Sequence, residues 1–296
     1  MSKTEFECEN TFRRMGQVYN ANTPENHPIV LKTDQDFKAA MSILAVSASM
    51  CPEVKIYAFQ LMNNHIHLVL AGQQSKIQEF FEYFVSRLSK HFGNSLELCG
   101  FKLRLFPVLN LAYLRNAIAY VNRNGFVVNN EVTPFSYPWG SSRYFFQPVV
   151  SRYEEKCSYA IGIVELRSLI HSRKCDHLKE LKAIDGYISP LEFCHVKDAE
   201  SIFRDAKQYF YTVSRNIESN SEIAKSIGES IFYTDNDLYS AATKMAKEHF
   251  GDQNLRTLPV DAKLDIAKRL HFDYNAGDKQ LNRLLGIDQM ILKAMF

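Results

Sequence analysis

The run Leu61-Met62-Asn63-Asn64-His65-Ile66-His67-Leu68-Val69-Leu70 constrains this chain more than any other stretch. Two histidines flank one isoleucine inside an apolar segment. In an extended strand successive side chains alternate, so His65 and His67 point to one face and Ile66 and Leu68 to the other, into a core. The preceding Val54 to Gln60 is apolar at nearly every position, as in a strand buried on both faces. Met62-Asn63-Asn64 turns the chain between them. The histidines are therefore expected on a central strand of a hairpin, beside a core. Imidazoles about 6–7 Å apart along a strand can hold one cation between them. Taken alone, such a pair is better explained as two hydrogen-bonded histidines next to a core.

The remaining elements surround this hairpin. Thr11 to Tyr19 is expected as a first strand, followed by a loop from Asn20 to Pro28. Asp36 to Ser49 has helical spacing, with Asp34 as its cap and Pro52 as its stop. Lys76 to Phe92 carries an apolar stripe of Ile77, Phe80, Phe81, Phe84, Leu88 and Phe92. Phe101 to Phe106 alternates, placing Lys102 and Arg104 on one face of a strand. Asn110 is positioned to cap a helix reaching about Asn124 and ending at Gly125. On that helix Leu111, Leu114, Ile118 and Val121 share one side; Tyr113, Asn116, Tyr120, Arg123 and Asn124 share the opposite side. The order strand, helix, strand, strand, helix, strand, helix fits an α+β sandwich of ferredoxin-like type over residues 1–150.

Beyond Gln147-Pro148 the pattern turns mainly α-helical, giving a helical domain over 151–255 and, over 256–296, either a helix–turn–helix or short packed helices that read the same way. In the latter, Asp261 to Leu270 and Asp278 to Leu285 are helical, Gly286 and Ile287 make a turn, and Asp288 caps a last helix. Lys279, Arg283 and Lys293 would face the phosphates of duplex DNA. Cys157, Cys175, His177, Cys194 and His195 match none of the usual zinc spacings.

A net charge of +2 over 296 residues says little about partners. Locally the balance differs: Lys76 to Arg123 holds seven Lys or Arg against three Asp or Glu, so this segment is basic. The six cysteines are scattered without a C-x-x-C pair, which points to reduced thiols and a cytoplasmic location. No apolar run approaches the roughly 18 residues of a membrane span, and the polar, acidic start from Met1 to Asn10 is unlike a signal peptide. No membrane partner is expected.

Asn64-His65-Ile66-His67-Leu68-Val69-Leu70 resembles the HUH motif of single-tyrosine transposases, in particular the REP-associated tyrosine transposases. Ala119-Tyr120-Val121-Asn122-Arg123-Asn124 is similar to that family's tyrosine helix. Tyr137-Pro138-Trp139-Gly140-Ser141-Ser142 is similar to its tyrosine–proline–tryptophan–serine–serine segment. Order and spacing agree over roughly residues 10–146. The chain departs from the family pattern at Asn63, at Asn124-Gly125-Phe126-Val127 and in its N-terminal segment.

The resemblance implies a ferredoxin-like HUH domain that cleaves and rejoins single-stranded or hairpin DNA. It implies Tyr120 as nucleophile, His65 and His67 as metal ligands, Asn124 as the third ligand, and a 5′-phosphotyrosine intermediate. Tyr120 and Asn124 are one helical turn apart and so neighbours on one face. Two imidazoles and an amide oxygen suit Mg²⁺ or Mn²⁺. Tyr113 is the rival nucleophile, but one turn on it meets Ala117, which binds no metal. Arg87, Lys90, Lys102, Arg104, Arg115 and Arg123 are the expected DNA-phosphate contacts. Trp139 is expected as a core residue under a loop, with base stacking as the alternative. The alternative function is a catalytically silent, domesticated transposase acting as a DNA-binding or regulatory protein. Oligomeric state is left open between monomer and homodimer.

Overall fold

The computed structural model describes residues 2–25, 27–93, 98, 100–128, 137–170, 181–215, 233, 235–251 and 254–296. It is a mixed α+β protein with small antiparallel sheets. The chain forms two compact units, Met1–Asn216 and Ile217–Phe296.

The first unit opens with helix α1 (Glu5–Arg14), not with a strand. Thr4 and Glu7 form a capping box: the Thr4 amide donates to the Glu7 carboxylate at 2.7 Å, and the Glu7 amide donates to Thr4 Oγ1 at 3.3 Å. Two of the helix's orphan amide groups are thereby satisfied. Only after Gly16, at φ 75°, does strand β1 (Val18–Asn22) begin. Helix α2 (Asp34–Met50) is capped by Thr33 rather than Asp34 and ends at Cys51, before Pro52. Strands β2 (Lys55–Leu61) and β3 (Ile66–Ala71) make the expected hairpin. Helix α3 (Gln74–His91) buries Ile77, Phe80, Phe81, Phe84 and Leu88, the stripe visible in its spacing. Strand β4 (Arg104–Pro107) is shorter than the alternation suggests.

Helix α4 spans Leu111–Val128. Asn110 caps it as expected, its Oδ1 accepting from the Tyr113 amide at 2.8 Å. The helix does not stop at Gly125; it continues one turn further. Its polar side is not presented to solvent either. From Ala117 to Arg123 every residue is buried, because α4 packs against β2 and β3 on one side and against a later helix on the other.

The sheet order is β2-β3-β1-β4, with every neighbouring pair antiparallel. Residues paired across strands share a face. One face carries Tyr19, Ala21, Phe59, Leu68 and Leu70 and is apolar apart from the tyrosine hydroxyl. It is the face left to α2 and α3, which pack on each other. The other face carries Asn20, Asn22, Gln60 and His67, and α4 lies over it.

The described residues from 148 to 215 belong to this same compact unit, which does not end at 150 as expected. Helices α5 (Pro148–Cys157), α6 (Ile163–Ile170), α7 (Val196–Glu200) and α8 (Ala206–Arg215), with a sheet of β5 (Tyr159–Ala160), β6 (Lys182–Ile184) and β7 (Tyr187–Ile188), fold onto it. The Ile188 amide donates to Ser42 Oγ of α2 at 3.1 Å. The His195 amide donates to the Ile56 carbonyl on the β2 edge at 2.8 Å. Helix α8 packs along α4.

The second unit contains α9 (Asp235–Phe250), α10 (Val260–Tyr274), α11 (Asp278–Leu285) and α12 (Gln289–Met295). Leu238, Ala242, Ala246, Ile266, Leu270, Leu281, Leu285 and Leu292 form one core, so α9 belongs with the three helices after it, and residue 255 is no boundary. Gly286 ends α11 in the left-handed region at φ 68°, and Asp288 caps α12 by accepting from the Met290 amide at 2.7 Å. Arg283 is held by Asp235 at 2.7 and 2.9 Å, which occupies a charge expected to face phosphate. Among the described residues no helix is long and apolar enough to cross a membrane.

Candidate functional site

His67 sits mid-strand on β3 and is fully buried; His65 lies just before the strand and is nearly so. Their rings meet edge to face with centroids 4.8 Å apart. Burial, with the neighbouring His67 as a smaller cause, pushes His65 down to about 2; burial alone pushes His67 down to about 3. Both imidazoles are therefore neutral at physiological pH, the form that offers a nitrogen lone pair.

Asn64 determines which nitrogen of His65 that is. Its Nδ2 donates to the carbonyls of Glu25 and His27, the latter at 3.2 Å. Its Oδ1 is thereby turned to His65 Nδ1, at 2.7 Å. An amide oxygen only accepts, so Nδ1 carries the hydrogen and Nε2 keeps the lone pair. The asparagine also ties Glu25 and His27 to the histidine strand.

Tyr120 comes to this pair from α4. Its ring stands against His67 with centroids 5.7 Å apart, nearly perpendicular, and it is 9 % exposed. The rival Tyr113 is seven residues earlier, about 10 Å back along the helix axis, and half exposed. Asn124, one turn after Tyr120, is half-buried; its Nδ2 donates to the Tyr120 carbonyl at 3.4 Å. It does not cap the helix end, because the helix continues.

The Tyr137-to-Ser142 segment anchors α4 rather than lining the site. Tyr137 donates to the Leu61 carbonyl at 2.7 Å, and the Leu61 amide donates to the Trp139 carbonyl at 2.9 Å, so the segment runs along the β2 edge. Ser141 Oγ accepts from the Phe59 amide at 3.0 Å and donates to Asn122 Oδ1 at 2.8 Å; Asn122 Nδ2 reaches the Tyr209 hydroxyl at 3.0 Å. This buried chain ties β2, α4 and α8 together. Gly140 is needed there because a Cβ would stand 3.2 Å from the Phe59 carbonyl oxygen. Trp139 stacks on Phe37 at 5.2 Å and is a core residue, not a base-stacking platform.

The basic residues divide into two groups. Arg115 is 8 % exposed, its Nε donating to the Ile202 carbonyl at 2.8 Å and its two terminal nitrogens forking onto Glu5 at 2.6 and 3.2 Å. It staples α1 and the 202 loop to α4, which corrects its expected role as a DNA contact. Arg123 is 6 % exposed and likewise no solvated charge. Arg87 lies over the Tyr83 ring and donates to its hydroxyl at 2.6 Å. Lys90, Lys102 and Arg104 are exposed. Arg104 lies in one cross-strand row with the histidines: Arg104 on β4 faces Asn22 on β1, Asn22 faces His67 on β3, and His67 faces Gln60 on β2.

Asn22 and Gln60 were not among the expected site residues. Each is an unremarkable polar residue in sequence, and only strand register places it beside His67. Among the described residues no three His, Cys, Asp or Glu side chains cluster where they could together hold a metal ion. Cys175 and His177 lie outside the described residues. The donor set around Tyr120 is two neutral imidazoles and carboxamides, which fits Mg²⁺ or Mn²⁺ and lacks the thiolates a structural zinc prefers.

No protein-family model matches this chain. No curated protein and no solved structure matches it.

Proposed function

We propose that this protein is a metal-dependent endonuclease and strand transferase of the HUH single-tyrosine transposase type, acting on single-stranded, hairpin-associated DNA. The observation that carries the proposal is the packing of Tyr120 against His67, itself packed on His65. A strand order of β2-β3-β1-β4 around a strand–helix–strand–strand–helix–strand unit supports a ferredoxin-like domain, and with it the same reading.

In this mechanism His65, His67 and an amide oxygen, that of Asn124 first, would hold a divalent ion. Bound there, Mg²⁺ or Mn²⁺ supplies Lewis-acid charge against the scissile phosphate. The Tyr120 hydroxyl gives its proton to solvent water and its oxygen attacks phosphorus. The new tyrosyl O–P bond forms as the bond to the 3′-oxygen breaks, and that oxygen takes up a proton to leave as a 3′-hydroxyl. The product is a 5′-phosphotyrosine, and a second 3′-hydroxyl reverses the step to join strands without ATP. The packing of α4 against the sheet orients Tyr120 before substrate arrives, which lowers the entropic part of the barrier. Lys90, Lys102 and Arg104 are the accessible charges for the DNA backbone.

The test is incubation with hairpin-bearing single-stranded DNA and Mn²⁺, followed by denaturing electrophoresis. A covalent adduct is expected, and Tyr120→Phe abolishes it. An adduct that survives Tyr120→Phe but not Tyr113→Phe refutes the assignment. The burial of Tyr120 favours a second reading, a catalytically silent DNA-binding protein; tight hairpin binding with no adduct on any DNA supports that one.

A further inference from the structure

Strand β1 carries Asn20 and Asn22, both with no exposed surface. Asparagine is disfavoured in strand interiors, where it brings polar atoms without packing value. On the sheet register Asn22 faces His67, and Asn20 faces Val69. Opposed residues hold their Cβ atoms about 4.5–5.5 Å apart, and diagonal neighbours remain within reach of longer side chains. Asn20, Asn22 and His67 thus share one sheet face, the face under α4.

Asn20 is the anomaly. Among the described residues neither its Oδ1 nor its Nδ2 has a hydrogen-bond partner, and both are shut off from solvent. A buried amide left this way weakens the fold, and leucine has nearly the same shape without that penalty. A polar side chain at such a position points to polar contents on that face, next to the histidine pair. Mg²⁺ and Mn²⁺ are bound through oxygens and retain water ligands that themselves need hydrogen-bond partners. The two imidazoles contribute no oxygen.

We propose that β1 supplies oxygen-side contacts of the cation site: Asn22 binds the ion through Oδ1, and Asn20 holds one of its water ligands. This assignment rests on the reading of His65 and His67 as cation ligands. It differs from a site completed by α4 alone. A site built on the sheet holds its ion on elements other than the helix that carries Tyr120. The donors are all neutral, so the ion keeps its full charge for the phosphate.

The test uses the full chain without DNA. Mn²⁺ is titrated in and the free ion followed by electron paramagnetic resonance; thermal unfolding is measured separately without metal. Asn20→Leu and Asn22→Leu are expected to lower Mn²⁺ affinity about tenfold or more. Asn20→Leu is also expected to melt no lower than wild type. Asn22→Asp, which keeps an oxygen in place and adds charge, is expected to tighten binding, and it decides the matter if a leucine variant folds poorly. Leucine variants that bind Mn²⁺ as wild type does, while His65→Ala/His67→Ala does not, overturn the β1 assignment alone and assign the asparagines to buried water. Wild-type protein that fails to bind Mn²⁺, or binding unaffected by the double histidine variant, overturns the cation site itself.

Discussion

Replacing Arg115 by methionine separates a structural arginine from a DNA-binding one. Arg115 looks like a phosphate contact in a basic segment, yet it is buried and engaged on both sides. The Nε bond to the Ile202 carbonyl is a buried hydrogen bond from a charged donor, of a kind contributing about 1.5–3 kcal/mol. The fork onto Glu5 is discounted, because the Glu5 side chain is 60 % exposed; exposed pairs contribute about 0.2–1 kcal/mol. Together they give a destabilisation of about 2–4 kcal/mol. For a unit of this size that lowers the melting temperature by roughly 5–15 °C. The pH dependence has a definite sign. The Arg115 hydrogen bond holds the Glu5 carboxyl below its ordinary 4.5. A depressed carboxylate stabilises the fold above its unfolded value and loses that contribution as pH falls through the folded value. Wild type therefore gives up this increment on acidification below about pH 4.5, and the methionine variant has none to lose. Differential scanning calorimetry at pH 7 and pH 3.5 measures both. The salt dependence of hairpin-DNA binding is the counterpart. Each lost phosphate contact flattens the slope of log K against log salt by about 0.7–0.9. Arg115→Met is expected to leave the slope unchanged and Arg104→Ala to flatten it. A methionine variant that melts like wild type but binds DNA with a flatter slope refutes the structural role.

Gly140→Ala is expected to destabilise the first unit by about 1–3 kcal/mol, because the added methyl meets the Phe59 carbonyl oxygen at the β2 edge; chemical denaturation measures it. Asn64→Ala frees the ring of His65 and is expected to weaken Mn²⁺ binding about 10–100-fold by the same resonance titration, while Mn²⁺ affinity equal to wild type shows that this orientation is immaterial. In the second unit, Asp235 is held below its ordinary value by the Arg283 hydrogen bond, so its contribution is present above that value and lost as pH falls through the depressed one. Asp235→Asn should remove that acid sensitivity at a cost of no more than about 1 kcal/mol at neutral pH, read from the unfolding of that unit between pH 7 and pH 3.

Where local chemistry was strong, the sequence was sufficient. The apolar stripe from Ile77 to Leu88, the Asn110 cap and the hairpin around Asn63-Asn64 are all in place. The first helix was legible too, in the Thr4-x-x-Glu7 capping box, but the apolar residues between Thr11 and Tyr19 suggested a strand instead. Gly125 would end an isolated helix, and α4 runs past it. The break expected after Pro148 fails for a related reason. Residues 148–215 read as part of a separate helical domain, yet they supply the Ile202 carbonyl, the Tyr209 hydroxyl and the Cys194 edge contact that the first unit is built on.

By itself the sequence determined that two histidines share one face of a buried strand, since alternation along a strand is a property of the backbone. It also determined that Tyr120 and Asn124 lie one turn apart on a helix, a matter of helical period alone. Tertiary structure alone decided that this helix lies over that face and brings the Tyr120 ring to His67. It also decided that Asn22 and Gln60 flank His67 and that Arg115 is a staple. Strand register and helix docking depend on side-chain packing between segments distant in the chain. Their physical cause is the joint burial of apolar surface, which no local window of sequence contains.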